Sequence, residues 1–324
     1  MTEYNIFDKV VKEIKKCLGG IGDDFMAVVS AILIVLTFIV NFILDFPFFW
    51  IGYQFAYYFM PAEKFLTGND QVIFLSELTC LAILIPAIFS TFGFMQWIFV
   101  YSTGAHDAKG ADYDRLYKIL QDLCRRENTD PSRYSLYVNE DQTINAYALG
   151  DKHITVNRGT LNLMDDEEIE GILAHELGHL HYRHTFASLL CVGMNWFSRV
   201  ICLIYRCANF FVWLIHWIPF LGWFASIIMI LINWQHVIFS WVLNIPMNFI
   251  TILGYRSQEY QADAYAYKLG LGPELIKGFE HLLKINGDNW FFLDWFVSDH
   301  PGTKKRIKRI EKMMEKDKQK IEVI

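Results

Sequence analysis

His175, Glu176 and His179 form the pattern His-Glu-x-x-His within GILAHELGHLHYRH. On an α-helix, positions i and i+4 share a face, so both imidazoles can reach one ion about 2 Å away. Glu176 stands one position round from the first histidine. There it can take a proton from a water activated at the ion without serving as a ligand. Zinc that keeps one position open for water needs a third protein ligand. A third histidine in the extended pattern would require Gly at 182 and His at 185, where the chain has Tyr182 and Thr185. A carboxylate from another helix remains, and Glu259 in SQEYQAD is the best candidate. Asp263, one turn later on the same face, could hydrogen-bond the second nitrogen of a ligating histidine and fix its tautomer. His181 and His184 point to other faces of a continuous helix or lie too far along it, and read as interfacial histidines.

These residues need a scaffold, and the flanking sequence describes one. Asp165 followed by Glu168 is a capping-box start for the helix bearing the histidine pair, and the acids of DDEEIE suit its positive end. Upstream, DYDRLYKILQDLCRRE places Leu116, Ile119, Leu120 and Leu123 at helical spacing. The runs RYSLYVN, TINAYAL and HITVN, separated by Asn139–Asp141 and Gly150–Asp151, predict a small antiparallel sheet. Glu259 and Asp263 lie on a helix that stops at Leu-Gly, and PELIKGFEHLLKING forms a further one.

The rest of the chain is of another character. Of 324 residues, 53% are hydrophobic and 16% aromatic, and the apolar residues are concentrated. Residues 25–44 and 78–105 carry no charge, and neither does the stretch from Cys207 to Tyr255. About 20 apolar residues suffice to cross a bilayer as a helix. The fold class expected is an α-helical integral membrane protein of about four crossings with a zincin-like α+β catalytic domain. The expected division is a basic amphipathic segment at 1–24, a first transmembrane hairpin at 25–101, and a first catalytic portion at 102–184. A second hairpin follows at 185–253, and a second catalytic portion at 254–324 supplies the third ligand and the C-terminal helices.

Glu259 can meet the histidines only if an even number of crossings separates residue 185 from 253, and that length holds two helices. With four crossings the basic N-terminal tail (Lys9, Lys12, Lys15, Lys16), the 102–184 portion and the portion from 254 share one side. The positive-inside rule makes that side cytoplasmic. Arg199 and Arg206, seven residues apart, share a face that should meet protein or water rather than lipid. The net charge of −6 argues against a nucleic-acid partner. The six cysteines form no C-x-x-C pair and suggest neither a disulfide framework nor a Cys-ligated zinc site.

The runs VNRGTLNLMDDEEIEGILAHELGHL, RSQEYQADAYAYKLG and DHPGTKKRI, in that order, resemble the HtpX-like membrane metalloproteases. That family also includes the zinc CAAX-prenyl proteases. The resemblance implies one zinc per chain on His175, His179 and Glu259, with Glu176 as catalytic base and Asp263 acting close to the metal. It implies that His300, before Pro301, and Arg306 hydrogen-bond the tetrahedral intermediate or the metal glutamate. It further implies that Asn145, Ala146, Tyr147 and Ala148 form a strand that pairs with an extended substrate. The HYRH at 181–184 departs from the family pattern, and the CAAX-prenyl branch has more membrane helices than are evident here.

The function expected is hydrolysis of peptide bonds by a multi-pass enzyme of the cell (inner) membrane, with membrane proteins as polypeptide substrates and the active site on the cytoplasmic side. The rival readings are a CAAX-type processing protease and a non-proteolytic membrane protein with a structural zinc.

Overall fold

The structure is a computed structural model that describes residues 24–60, 65–218, 221–230, 233–234, 258–286 and 302–322. The chain divides into two compact units. One comprises residues 1–30, 91–188 and 251–324, and the other residues 31–90 and 189–250.

The second unit is helical. Helix α1 (Asp24–Phe59) runs unbroken through the aromatic stretch that follows the first apolar run, with Pro47 inside it. Proline is tolerated in membrane helices because neighbouring groups satisfy the freed carbonyl. Helix α2 (Gly68–Ser90) buries a stripe of Leu75, Thr79, Ile83 and Ala87 at four-residue spacing and leaves its other faces apolar and exposed. Among the described residues three helices are long and apolar enough to cross a membrane: Ile34–Phe59, Gly68–Ser90 and Trp196–His216. Most of the sequence expected to form a fourth lies outside the described residues. Thr37, Asn41 and Asp45 recur every four residues on α1 and are fully buried. Asn41 donates to Asn195 at 3.0 Å, and Ser198 donates to Asp45 at 2.9 Å. Arg199 and Arg206 are both exposed.

The other unit carries the sheet. After α3 (Gly93–Ser102) come β1 (Ala105–Asp107) and α4 (Gly110–Glu127), then β2 (Ser135–Asn139), β3 (Ala146–Leu149) and β4 (His153–Asn157). Leu116, Ile119, Leu120 and Leu123 of α4 are buried against the sheet and the following helices. Burial of each such side chain contributes about 1.5–3 kcal/mol. The strand order is β1-β2-β4-β3, with β2 and β4 parallel and the other pairs antiparallel. The sheet is therefore mixed, not wholly antiparallel as its turns suggest. The turn residues do form local bonds, with Asp141 N–H on Asn139 and Thr143 N–H on Asp141, but they carry the chain past the neighbouring position. Every residue of HITVN is buried, so β4 takes the centre, and the less buried β3 is left as an edge.

Helix α5 (Arg158–Leu163) leads into α6 (Asp166–His181), where both halves of the capping box form between Asp165 and Glu168. Helices α7 (His184–Met194) and α8 (Trp196–His216) follow, and then α9 (Leu221–Ile230). Helix α10 spans residues 258–268, followed by α11 (Gly272–Asn286) and α12 (Thr303–Glu322).

Candidate metal centre

Helix α6 is buried from Gly171 to Leu180, so His175 and His179 lie inside the protein. Two glycines let neighbouring backbones come close. A Cβ on Gly178 would stand 2.9 Å from Ala262 Cα of α10, and one on Gly171 would stand 2.4 Å from Leu275 N of α11. Ala262 sits between Glu259 and Asp263 on α10, so the close approach at Gly178 brings both carboxylates to the histidines.

The three ligand candidates form a small triangle. His175 Nε2 and His179 Nε2 are 3.2 Å apart, with Glu259 Oε2 3.4 Å from the first and Glu259 Oε1 3.3 Å from the second. Atoms about 2.0–2.1 Å from a tetrahedral zinc stand roughly 3.3–3.4 Å from one another. The donor set therefore fits such an ion in both type and spacing. This is the one His/Cys/Asp/Glu cluster among the described residues with ligand spacing.

Around the triangle, charge is arranged in a second layer. His175 Nδ1 lies 3.1 Å from Asp263 Oδ1. Arg306 of α12 grips Asp263 with two bonds of 2.9 and 2.6 Å, reaches Glu259 at 2.8 Å, and stacks over Phe279 at 4.2 Å. Burial alone would raise the pKa values of Glu259 and Asp263, but the Arg306 charge and the histidine bonds outweigh it and hold both lowered. His175 shows the complementary effect. Burial and Arg306 disfavour its protonation, yet Asp263 and Glu259 raise its pKa to about 9. Asp263 and Glu259 thus surround the imidazoles with negative charge, which a dication held there would require.

Glu176 is also buried, and its Oε2 accepts the backbone N–H of Ala148 at 2.8 Å. That bond leaves β3 on the side away from β4. By alternation Ala146 and Ala148 direct their main chain outward, while Asn145 and Tyr147 direct theirs inward. The Asn145 carbonyl accepts from Asn157 N–H at 2.9 Å and from Thr160. Of the four residues expected to pair with a substrate, two therefore offer main-chain groups, whereas Asn145 and Tyr147 contribute only lining. A cavity of about 230 Å³ adjoins this edge, walled by Ala146, Ala148, Glu176, His179, His184 and Glu259.

His300 and Pro301 lie outside the described residues. Arg306 is placed on Glu259 and Asp263. Of the two histidines read as interfacial, His181 is exposed and bonded to Glu127 at 2.8 Å. His184 is the departure: it is buried, with Nδ1 3.1 Å from His179 Nδ1 and Nε2 2.8 Å from Gln261 Oε1. Burial, and next the nearby His179, push its pKa down to about 3. The sequence signal for this residue was the HYRH departure itself.

Buried histidines and a carboxylate with ligand spacing lie beside a strand edge that is open among the described residues, in a chain with membrane-length apolar helices. The family model for peptidase family M48 matches residues 111–314, and the chain belongs to that family. Metalloprotease YcaL of Escherichia coli K12 is 39% identical over 75 residues, which are 23% of this chain and 29% of YcaL. A protease HtpX homolog of Aquifex aeolicus is 24% identical over 254 residues, covering 68% of this chain and 79% of its own. A homolog from Thermoplasma acidophilum is 29% identical over 131 residues, 37% of this chain and 40% of that one. The chain thus spans less than half the length of YcaL and of the Thermoplasma relative. The crystal structure of S. mikatae Ste24p overlaps with a TM-score of 0.42 at 22% identity, over 74% of this chain and 57% of that chain.

Proposed function

We propose that this chain is a membrane-bound zinc metalloendopeptidase whose single zinc is held by His175, His179 and Glu259 and whose general base is Glu176. The observation that carries the reading is the convergence of these three side chains, with the two Nε2 atoms 3.2 Å apart, a Glu259 oxygen 3.3 or 3.4 Å from each, and Glu176 beside them. Three protein ligands leave a fourth position open, as a catalytic site requires and a closed structural site does not. Zinc so held supplies a Lewis acid that polarises the scissile carbonyl and makes water nucleophilic at neutral pH.

Within this reading, Glu176 takes the proton of the attacking water and passes it to the leaving amine. The Ala148 N–H aims the carboxylate while no substrate is present. Asp263 holds the His175 ring and Arg306 holds Asp263 and Glu259, so Arg306 serves the ligands and not the oxyanion. His300 remains a candidate for oxyanion contact on resemblance alone. An extended polypeptide would add to the sheet beside β3, bonding the outward main chain of Ala146 and Ala148.

The substrates in this reading are membrane proteins, cleaved in quality control or processing. The placement in the inner membrane, the four crossings in two hairpins, the bipartite catalytic portion at 102–184 and 254–324 and its cytoplasmic side rest on the distribution of apolar and basic residues. The test is cleavage of an unfolded protein such as casein by detergent-purified enzyme, with metal analysis alongside. Glu176→Gln should lose about 10²–10⁴-fold in rate while retaining zinc. Wild-type cleavage by that variant would remove Glu176 as the base.

A further inference from the structure

Helix α6 ends at His181, and Arg183 then adopts φ 56°, in the left-handed region that side-chain-bearing residues rarely occupy. On an uninterrupted helix a residue five positions past His179 would be turned about 140° from it. The break at Arg183 instead folds the start of α7 back, which is how His184 comes to meet His179.

The hydrogen-bond directions along this contact can be assigned in sequence. His179 Nε2 faces His175 and Glu259, so a metal-binding neutral ring must carry its proton on Nδ1. That proton is donated to His184 Nδ1 at 3.1 Å, which makes Nδ1 of His184 the acceptor. The proton of His184 then sits on Nε2 and is donated to Gln261 Oε1 at 2.8 Å. Reversing any one of the three groups would set two donors or two acceptors against each other. Gln261 lies on α10 two residues after Glu259, so one helix supplies both the third ligand and the end of this chain of bonds. His175 has a carboxylate, Asp263, on its second nitrogen, whereas His179 has a neutral ring.

We propose that His184, anchored by Gln261, is a positioning residue that fixes the tautomer and ring plane with which His179 meets the zinc. The proposal rests on the metal site proposed above. Partners of a ligand's second nitrogen are typically worth about 10–100-fold in metal affinity.

The test uses the full chain in detergent, with zinc affinity read by competition with a chelating dye and ligand geometry read from the cobalt(II) spectrum. His184→Ala should weaken zinc binding about 10–100-fold and alter the cobalt spectrum. His184→Asn, which retains an acceptor near the Nδ1 position, should recover most of the affinity. Gln261→Leu should cause a smaller loss. Wild-type affinity in His184→Ala would overturn the proposal. So would an Asn variant as weak as the Ala variant, because packing and not the acceptor would then be at work. His179→Ala separates the two readings: if it binds zinc as well as wild type, the metal site itself is misassigned.

Discussion

Asp263 and Glu259 both face Arg306, yet their tasks differ. In the proposed site Glu259 completes the ligand set, and Asp263 orients a ligand from behind. Asp263→Asn preserves shape but removes the charge that accepts from His175 and pairs with Arg306. It should weaken zinc binding about 10–100-fold, measured by chelator competition. Unchanged affinity would show that the carboxylate charge is not what orients His175. At this scale much of the site was legible. The spacing 175/179 and the spacing 259/263 each follow from helix periodicity, which needs only the sequence. Arg306 was reachable by resemblance alone, because nothing local connects α12 to α10. His184 was not reachable, since its position depends on the φ angle of Arg183, and periodicity assumes the helix continues.

Among the elements, the crossing of α6 with α10 carries the site, and Gly178 sets its distance. Gly178→Ala gains helix propensity worth about 1 kcal/mol, but the added Cβ would meet the Ala262 backbone at 2.9 Å. Overpacking of this kind costs about 1–3 kcal/mol and displaces backbone. The expected result is a lower melting temperature together with weaker zinc binding, because Glu259 moves with α10. A stabilised variant with full zinc affinity would contradict the close-approach account. Asp165→Ala removes one half of the capping box and should cost about 1 kcal/mol in urea unfolding, with zinc affinity little changed. The capping box was readable because it is local. The strand order was not: Asn139–Asp141 resembles a hairpin turn, and only the complete burial of β4 makes it central, between β2 and β3.

In the whole molecule, the candidate site draws on two separated stretches of one unit, 91–188 and 251–324. The ligands come from both, so a bound zinc would join them across the intervening sequence. Binding to the folded state at a hundred times Kd stabilises it by about 2.7 kcal/mol. Chelation should therefore lower the melting temperature of detergent-purified protein, and added zinc should restore it. A melt unchanged by complete zinc removal would contradict the bridging role. The apolar runs that mark membrane helices were plain in the sequence because about 20 apolar residues have few other uses. Run length does not give a crossing count, as the unbroken helix Asp24–Phe59 illustrates by continuing well past its first apolar run.

Among the described residues the outer side of β3 is open, which has a further meaning for solubility. An unpaired strand edge accepts any strand offered to it and is a common route to aggregation. Here that edge is four residues long, and one of its outward N–H groups is already held by Glu176. A stray strand must displace the carboxylate and gains little main-chain pairing in return. The bond that would aim the proposed base thus also guards the edge, and only a chain that can gain more from the cavity has reason to stay.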